Sequence, residues 1–154
     1  MEGSMAVNMN TKKLFLGGLA AGLVLNIIDF LSNAVIFADR MRAESNAFKP
    51  VLGDQMAAMG GAQIATYVFF DFIIGMLLVW TYAAIRPRFG PGPRTAMYVG
   101  LLFFVFGMIL TYGFKAMGVM SPGLWYAYSG LWLVNLMLAA MVGGLVYSEE
   151  PGTA

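Results

Sequence analysis

The chain has 154 residues, of which 60% are apolar and 11% charged, and its formal net charge is +1. A soluble domain of this length carries roughly 25% charged residues, so this composition and the mean hydropathy of +0.75 indicate an integral membrane protein. The sequence contains neither cysteine nor histidine. This excludes disulfides, thiolate chemistry, Cys/His zinc sites and histidine-ligated haem. The near-neutral charge gives no field that would attract nucleic acid.

Four apolar runs, at residues 14–37, 64–85, 95–117 and 124–147, dominate the pattern. Each is long enough to cross a bilayer core of about 30 Å, which needs about 20 helical residues. The first run exceeds the apolar stretch of about 7–15 residues found in signal peptides, so we interpret it as a retained span. The sequence predicts an all-α membrane protein with four transmembrane helices in an antiparallel up-down bundle. Its domain covers residues 14–147, between a flexible tail at residues 1–13 and a C-terminal tail at residues 148–154.

Two carboxylates, Asp29 and Asp71, lie inside these apolar runs, where an ionised Asp costs roughly 2.5–3.5 kcal/mol. At 1.5 Å per helical residue, the predicted span ends place both in the same half of the bilayer, within reach of Lys115. In the first run, positions 26, 29 and 33 share one helix face, which Gly18 and Gly22 extend. The predicted intramembrane polar site therefore comprises Asn26, Asp29, Asn33, Asp71, Lys115 and Asn135.

Two interpretations of the carboxylates remain open. In the structural one, they form hydrogen bonds across helices, or one pairs with Lys115, and they fix helix register. In the functional one, two neighbouring carboxylates in apolar surroundings hold a proton or a cation. If the polar stripe faces an internal cavity, transport is favoured, whereas a stripe facing lipid requires a partner helix to cover it.

The connection at residues 86–94 contains three prolines and two glycines, which predicts a stiff link without helix. Arg86, Arg88 and Arg94, with Lys12 and Lys13, favour a topology with both termini cytoplasmic. We expect a multi-pass protein of a bacterial inner membrane. We interpret the arginines as a positive-inside anchor. The alternative is that they and Phe89 contact anionic lipid or a partner.

No catalytic residue set and no metal-ligand spacing occurs, so we do not expect an enzyme. The preferred hypothesis is a non-enzymatic subunit or scaffold that packs with other membrane proteins or with itself. The alternative is a small proton- or cation-coupled transporter, or a channel-like protein, that uses Asp29 and Asp71. Expected partners are the lipid bilayer and membrane protein subunits, without nucleic acid. The sequence indicates no particular cofactor and leaves open whether a pigment or lipid binds.

Overall fold

The computed structural model of the protein describes residues 9–52 and 60–147. Residues 1–8 of the predicted N-terminal tail and the whole predicted C-terminal tail lie outside this part. All regular structure within it is helical. Helix α1 spans Thr11–Leu31 and continues as a π-helical turn at Ser32–Ile36, followed by α2 at Ala38–Leu52. Helices α3, α4 and α5 span Gly61–Phe89, Pro93–Ala116 and Pro122–Val146. Helix α1 with its π turn, α3, α4 and α5 are long and apolar enough to cross a membrane.

The helix starts follow local sequence signals. The Asn10 side chain accepts a hydrogen bond from the backbone N–H of Lys13 at 3.0 Å, which caps α1 three residues before the predicted apolar run. Ser121 caps α5 in the same way, accepting from the Leu124 N–H at 3.2 Å. Pro93 and Pro122 open α4 and α5, at positions where a helix needs no donor from the proline nitrogen.

The predicted non-helical link at residues 86–94 is wrong for its first four residues. Helix α3 continues through Pro87 to Phe89, which leaves only residues 90–92 between α3 and α4. Pro87 lies in the last turn, where the missing N–H removes a single backbone hydrogen bond. Arg86 and Arg88 in that turn interact favourably with the helix dipole. Gly90, at φ 83°, ends the helix and donates its N–H to the Arg86 carbonyl at 2.8 Å.

Glycine brings α1 into backbone contact with two neighbours. Toward α3, a Cβ built on Gly75 would lie 2.4 Å from the backbone nitrogen of Gly22 and 2.6 Å from the carbonyl oxygen of Gly18. Toward α5, a Cβ on Gly17 would lie 2.7 Å from the carbonyl oxygen of Gly143. Side chains are therefore excluded at these crossings, as small-residue packing in membrane helices requires.

Helix α4 packs mainly against α5. A Cβ on Gly100 would meet the Leu136 carbonyl oxygen at 3.0 Å, and Gly107 accommodates the ring of Trp132. Between these contacts lies a core of fully buried side chains: Ala21, Leu25, Leu78, Val79, Val99, Leu136, Ala139 and Ala140. In contrast, residues 61–70, the first part of α3, are all exposed. The start of α3 therefore packs loosely, and a cleft opens beside it.

Candidate functional site

The centre of the site is a carboxylate–amide pair between α1 and α5. Asn135 is fully buried, and its Nδ2 donates to Asp29 Oδ1 at 2.8 Å and to the Leu25 carbonyl at 3.4 Å. Within the described chain, Asn135 Oδ1 has no hydrogen-bond partner. Asp29 therefore faces the bundle interior, where a neutral donor holds one of its oxygens.

A π-helical turn reshapes α1 directly after Asp29. The Ser32 N–H is shared between the Asp29 and Ile28 carbonyls, and the Phe37 N–H reaches back five residues to the Ser32 carbonyl at 2.8 Å. The Asn33 Nδ2 donates to the Asp29 carbonyl at 2.8 Å, so a side chain supports the backbone where the pattern changes. Such turns frequently occur at functional sites.

Tyr128 of α5 completes the α1–α5 contact. Its hydroxyl donates to Asn33 Oδ1 at 2.7 Å, and its ring centroid lies 4.5 Å from that of Phe37. The sequence analysis did not select Tyr128. It precedes Asn135 by seven residues, two helical turns, so this spacing was the signal that could have identified it.

The predicted polar stripe of α1 divides between two neighbours. Asn26 turns toward α3, where its Nδ2 donates to the Gly22 carbonyl at 2.9 Å and to the Val68 carbonyl at 3.3 Å. Asp29 and Asn33 instead turn toward α5. The division arises because residues four apart form a ridge. Positions 18, 22 and 26 form the ridge facing α3, and positions 17, 21, 25, 29 and 33 form the ridge facing α5.

Two open clefts meet at Asp29. The larger, of about 560 Å³, is called the α3 cleft here and is lined by Asn26, Asp29, Phe30, Asn33, Ala34, Met41, Ile64, Tyr67, Val68, Asp71, Met120 and Tyr128. The smaller, of about 330 Å³, is called the α4 cleft and is lined by Asp29, Asn33, Met108, Thr111, Phe114, Met120, Trp125, Tyr128, Ser129 and Trp132. Asp29, Asn33, Met120 and Tyr128 line both, so the two clefts share a wall at the carboxylate.

The α3 cleft brings the two intramembrane carboxylates together. Asp71 and Asp29 both line it, from α3 and α1. In residues 9–52 and 60–147, no hydrogen bond is formed by the Asp71 carboxylate or by Asp29 Oδ2. No lysine or arginine of these residues lines either cleft. The cleft therefore presents acceptor oxygens and negative charge without a described basic partner.

Lys115 does not join the carboxylates, in contrast to the prediction. Its Nζ donates to the Tyr126 hydroxyl at 2.8 Å and lies 4.5 Å from the Tyr126 ring centroid. It also lies 5.3 Å from the Tyr112 centroid and 4.9 Å from the Trp125 centroid. Cation–π contacts and the hydroxyl replace a carboxylate as its partner. Trp125 contacts the lysine and also lines the α4 cleft.

The four predicted contact residues at the α3–α4 connection are only partly grouped. Phe89 and Arg94 meet at Tyr98: the two rings lie 5.9 Å apart, and Arg94 Nε donates to the Tyr98 hydroxyl at 3.1 Å. Arg88 is exposed. Arg86 is half-buried and places its guanidinium carbon 5.7 Å from the Tyr147 ring centroid. The exposed members of the group could contact a headgroup or a partner.

A contact between α2 and α5 was also missed. The Glu44 carboxylate accepts from the Ser121 N–H at 3.0 Å and from the Ser121 hydroxyl. A carboxylate at a helix start is stabilised by the free N–H groups and the dipole there. No spacing in the sequence relates two residues so far apart. The contact holds α2, whose Met41 lines the α3 cleft, against the start of α5.

The site can bind reversibly, but the described residues show no nucleophile–base pair for covalent chemistry. Among them, no group of three or more Asp, Glu, Cys or His side chains could hold a metal ion. Carboxylates, amides and a phenol around an apolar cleft suit a proton or a ligand of positive charge. Comparisons with protein-family models, with curated proteins and with solved structures find no match for this chain.

Proposed function

We propose that the chain is a multi-pass protein of a bacterial inner membrane, with its four long helices in an antiparallel up-down bundle. The order of contacts supports this arrangement. Along α1, Gly17 is near Gly143 and Asn33 bonds Tyr128, so α5 is met in reverse order. Likewise, Gly18 is near Met76, whereas Asn26 bonds the carbonyl of residue 68.

Both termini are proposed to be cytoplasmic. Lys12 and Lys13 lie in the first turn of α1, where positive charge opposes the helix dipole. Their placement therefore fits a topological role better than a stabilising one. Because the chain has no cysteine, Met117→Cys and Phe89→Cys would each introduce a unique label site at an exposed position. An impermeant maleimide should label the first variant in intact cells and the second only after permeabilisation; the reverse would overturn the topology.

We propose that the protein binds and moves a proton or another cation through the site at Asp29 and Asp71. One observation carries this proposal: both carboxylates line one cleft and keep oxygens without a described hydrogen-bond donor. Asp29 faces the bundle interior rather than outward, which is the orientation expected for transport. Intramembrane carboxylates commonly mark ion pathways or proton relays.

Flux through liposomes containing the purified chain tests this function. A membrane potential is imposed with K⁺ and valinomycin, and an internal pH dye reports proton entry. Asp71→Asn and Asp29→Asn should each abolish most of the flux. The amide oxygen in Asp29→Asn still accepts from Asn135, so the fold should persist. Asp39→Asn, at an exposed position of α2 away from both clefts, is the matched control. Equal proton flux in all four proteins, wild type included, would refute the proposal for protons, and replacing the dye with a Na⁺ indicator extends the test to that cation.

A second candidate is a subunit or scaffold that packs with other membrane proteins or itself. The exposed first part of α3, residues 61–70, favours it, because a neighbouring helix could cover Tyr67, Phe69 and Phe70 there. Extraction in mild detergent, with native mass and composition measured on the same particle, tests this candidate. Co-purifying polypeptides in fixed ratio would support a subunit, whereas a lone monomer would reject it. Neither candidate assigns an enzymatic reaction to the chain.

A further inference from the structure

We propose that the α3 cleft binds a lipophilic organic monocation, such as a hydrophobic amine or a quaternary onium ion, which enters from the bilayer. This inference rests on the carboxylate site of the proposed function and names the class of its ligand. It follows from the size of the cleft, its lining, its charge and its position at the edge of the bundle.

The size of the cleft favours an organic ligand. Its volume of about 560 Å³ falls in the range of about 300–1,000 Å³ typical of small-molecule sites. A water molecule takes up only about 30 Å³ in the liquid, so a proton relay would not need this space. Most of the wall is apolar, with Phe30, Ile64, Val68, Met41 and Met120 among the lining residues.

The charge of the cleft selects the sign of the ligand. Asp29 and Asp71 supply negative charge, and no described lysine or arginine lines the cleft. Lys115, the predicted partner, is instead held by Tyr126 and the neighbouring rings. An anion would therefore be repelled, and a neutral apolar ligand would cover carboxylate oxygens without giving them a partner.

The polar groups are too few and the wall too apolar for a hard metal cation. Ca²⁺ takes about six to eight oxygen ligands, whereas the α3 cleft offers two carboxylates and the amides of Asn26 and Asn33 along an otherwise largely apolar wall. Organic cations need fewer ligands because they bind aromatic faces as well. Tyr67 and Tyr128 line the same cleft as the carboxylates and can supply such faces.

The route into the cleft is lateral. Phe30 of α1 is 68% exposed, and Ile64 and Tyr67 of α3 are 53% and 59% exposed. These residues form the outer rim, and in a membrane their exposed surfaces would contact lipid tails. A lipophilic cation already concentrated in the bilayer would reach Asp71 between α1 and α3 without crossing water.

A matched pair of ions tests the proposal. Tetraphenylphosphonium and tetraphenylborate have nearly the same shape and opposite charge. Binding of each ion is measured by equilibrium dialysis against the purified full chain in lipid nanodiscs, with empty nanodiscs subtracted. We expect saturable binding of the phosphonium and only non-saturable partition of the borate. Asp71→Asn should weaken phosphonium binding by about tenfold or more, Asp71→Glu should retain it, and Asp39→Asn should leave it unchanged.

The opposite results would overturn the inference. Equal saturable binding of both ions, or phosphonium binding that is unchanged in Asp71→Asn and Asp29→Asn, would show an apolar cleft without charge selection. Failure of this inference differs from failure of the proposed function. Carboxylate-dependent ion flux without phosphonium binding would retain the function and reject the ligand class. Phosphonium binding without flux would retain the ligand site and reject coupled transport.

Discussion

The two ends of the helix bundle are built by different means. At one end, here called the glycine end, Gly17, Gly18, Gly22, Gly75 and Gly143 let backbones touch, and no space is left for a Cβ. At the other, here called the polar end, α1 meets α5 through hydrogen bonds among Asp29, Asn33, Tyr128 and Asn135. Both clefts lie at the polar end.

This contrast shows how a small bundle can be stable and still contain a site. Between membrane helices, close packing supplies much of the association, and individual polar contacts add only about 0.6–2 kcal/mol each. The glycine end can therefore hold the helices together while the polar end stays open. We expect substitutions at the glycine end to affect folding most, and those at the polar end to affect binding more than folding.

The largest effect on stability is expected from Gly75→Ala. The added Cβ would lie 2.4 Å from the backbone nitrogen of Gly22, so α1 and α3 must move apart, at a cost of about 3 kcal/mol. Unfolding in detergent, followed by circular dichroism against SDS fraction, measures the loss. Gly130→Ala is the matched control, because no heavy atom lies within 4 Å of its Cβ position. Equal stability of the two variants would contradict close backbone packing.

A smaller loss, about 2 kcal/mol, is expected from Asn135→Ala at the polar end. The substitution removes the donor that Asp29 Oδ1 accepts from at 2.8 Å and opens a buried space. A double-mutant cycle with Asp29→Ala isolates the pair, and we expect a coupling energy of about 1 kcal/mol. A coupling indistinguishable from zero would mean that the two side chains do not bond in the membrane.

Glu44→Gln should cost about 1 kcal/mol and act locally. The amide keeps one acceptor oxygen for Ser121 but loses the charge at the start of α5. Hydrogen–deuterium exchange should increase in α2 while α3 and α4 exchange as in the wild type. Asp39→Asn, in the first turn of the same helix, is the control. Unchanged exchange in α2 would show that this contact does not hold the helix.

The smallest effect, about 0.6 kcal/mol, is expected from Tyr128→Phe. The variant keeps the ring packed 4.5 Å from Phe37 and loses only the hydroxyl that bonds Asn33. Folding should be nearly unaffected, but phosphonium binding should change, because residue 128 lines both clefts. A stability loss as large as that of Gly75→Ala would remove the distinction between the two ends.

The four long apolar helices were predictable from the sequence, because hydropathy over about 20 residues reports them directly. The partners of individual side chains were not. Helical spacing placed Asn26, Asp29 and Asn33 on one broad face but could not show that Gly22 and Leu25 would direct them to different helices. Lys115 was assigned by charge to the carboxylates, whereas three aromatic rings closer to it bind it instead. Proline content suggested a long link at residues 86–94, but a proline in a last turn leaves most helical hydrogen bonds intact.

The π-helical turn at Ser32–Ile36 sets the phase of everything that follows it in α1. An α-helix turns about 100° and rises about 1.5 Å per residue, and a π turn contains one residue more than an α turn. Deleting Ala34 would let the backbone return to regular α-helix with little local cost. The same deletion would rotate Phe37 and α2 by about 100°, away from Tyr128 and Ser121. A single residue thus works as a spacer whose removal would leave the helix intact and misdirect the segment beyond it.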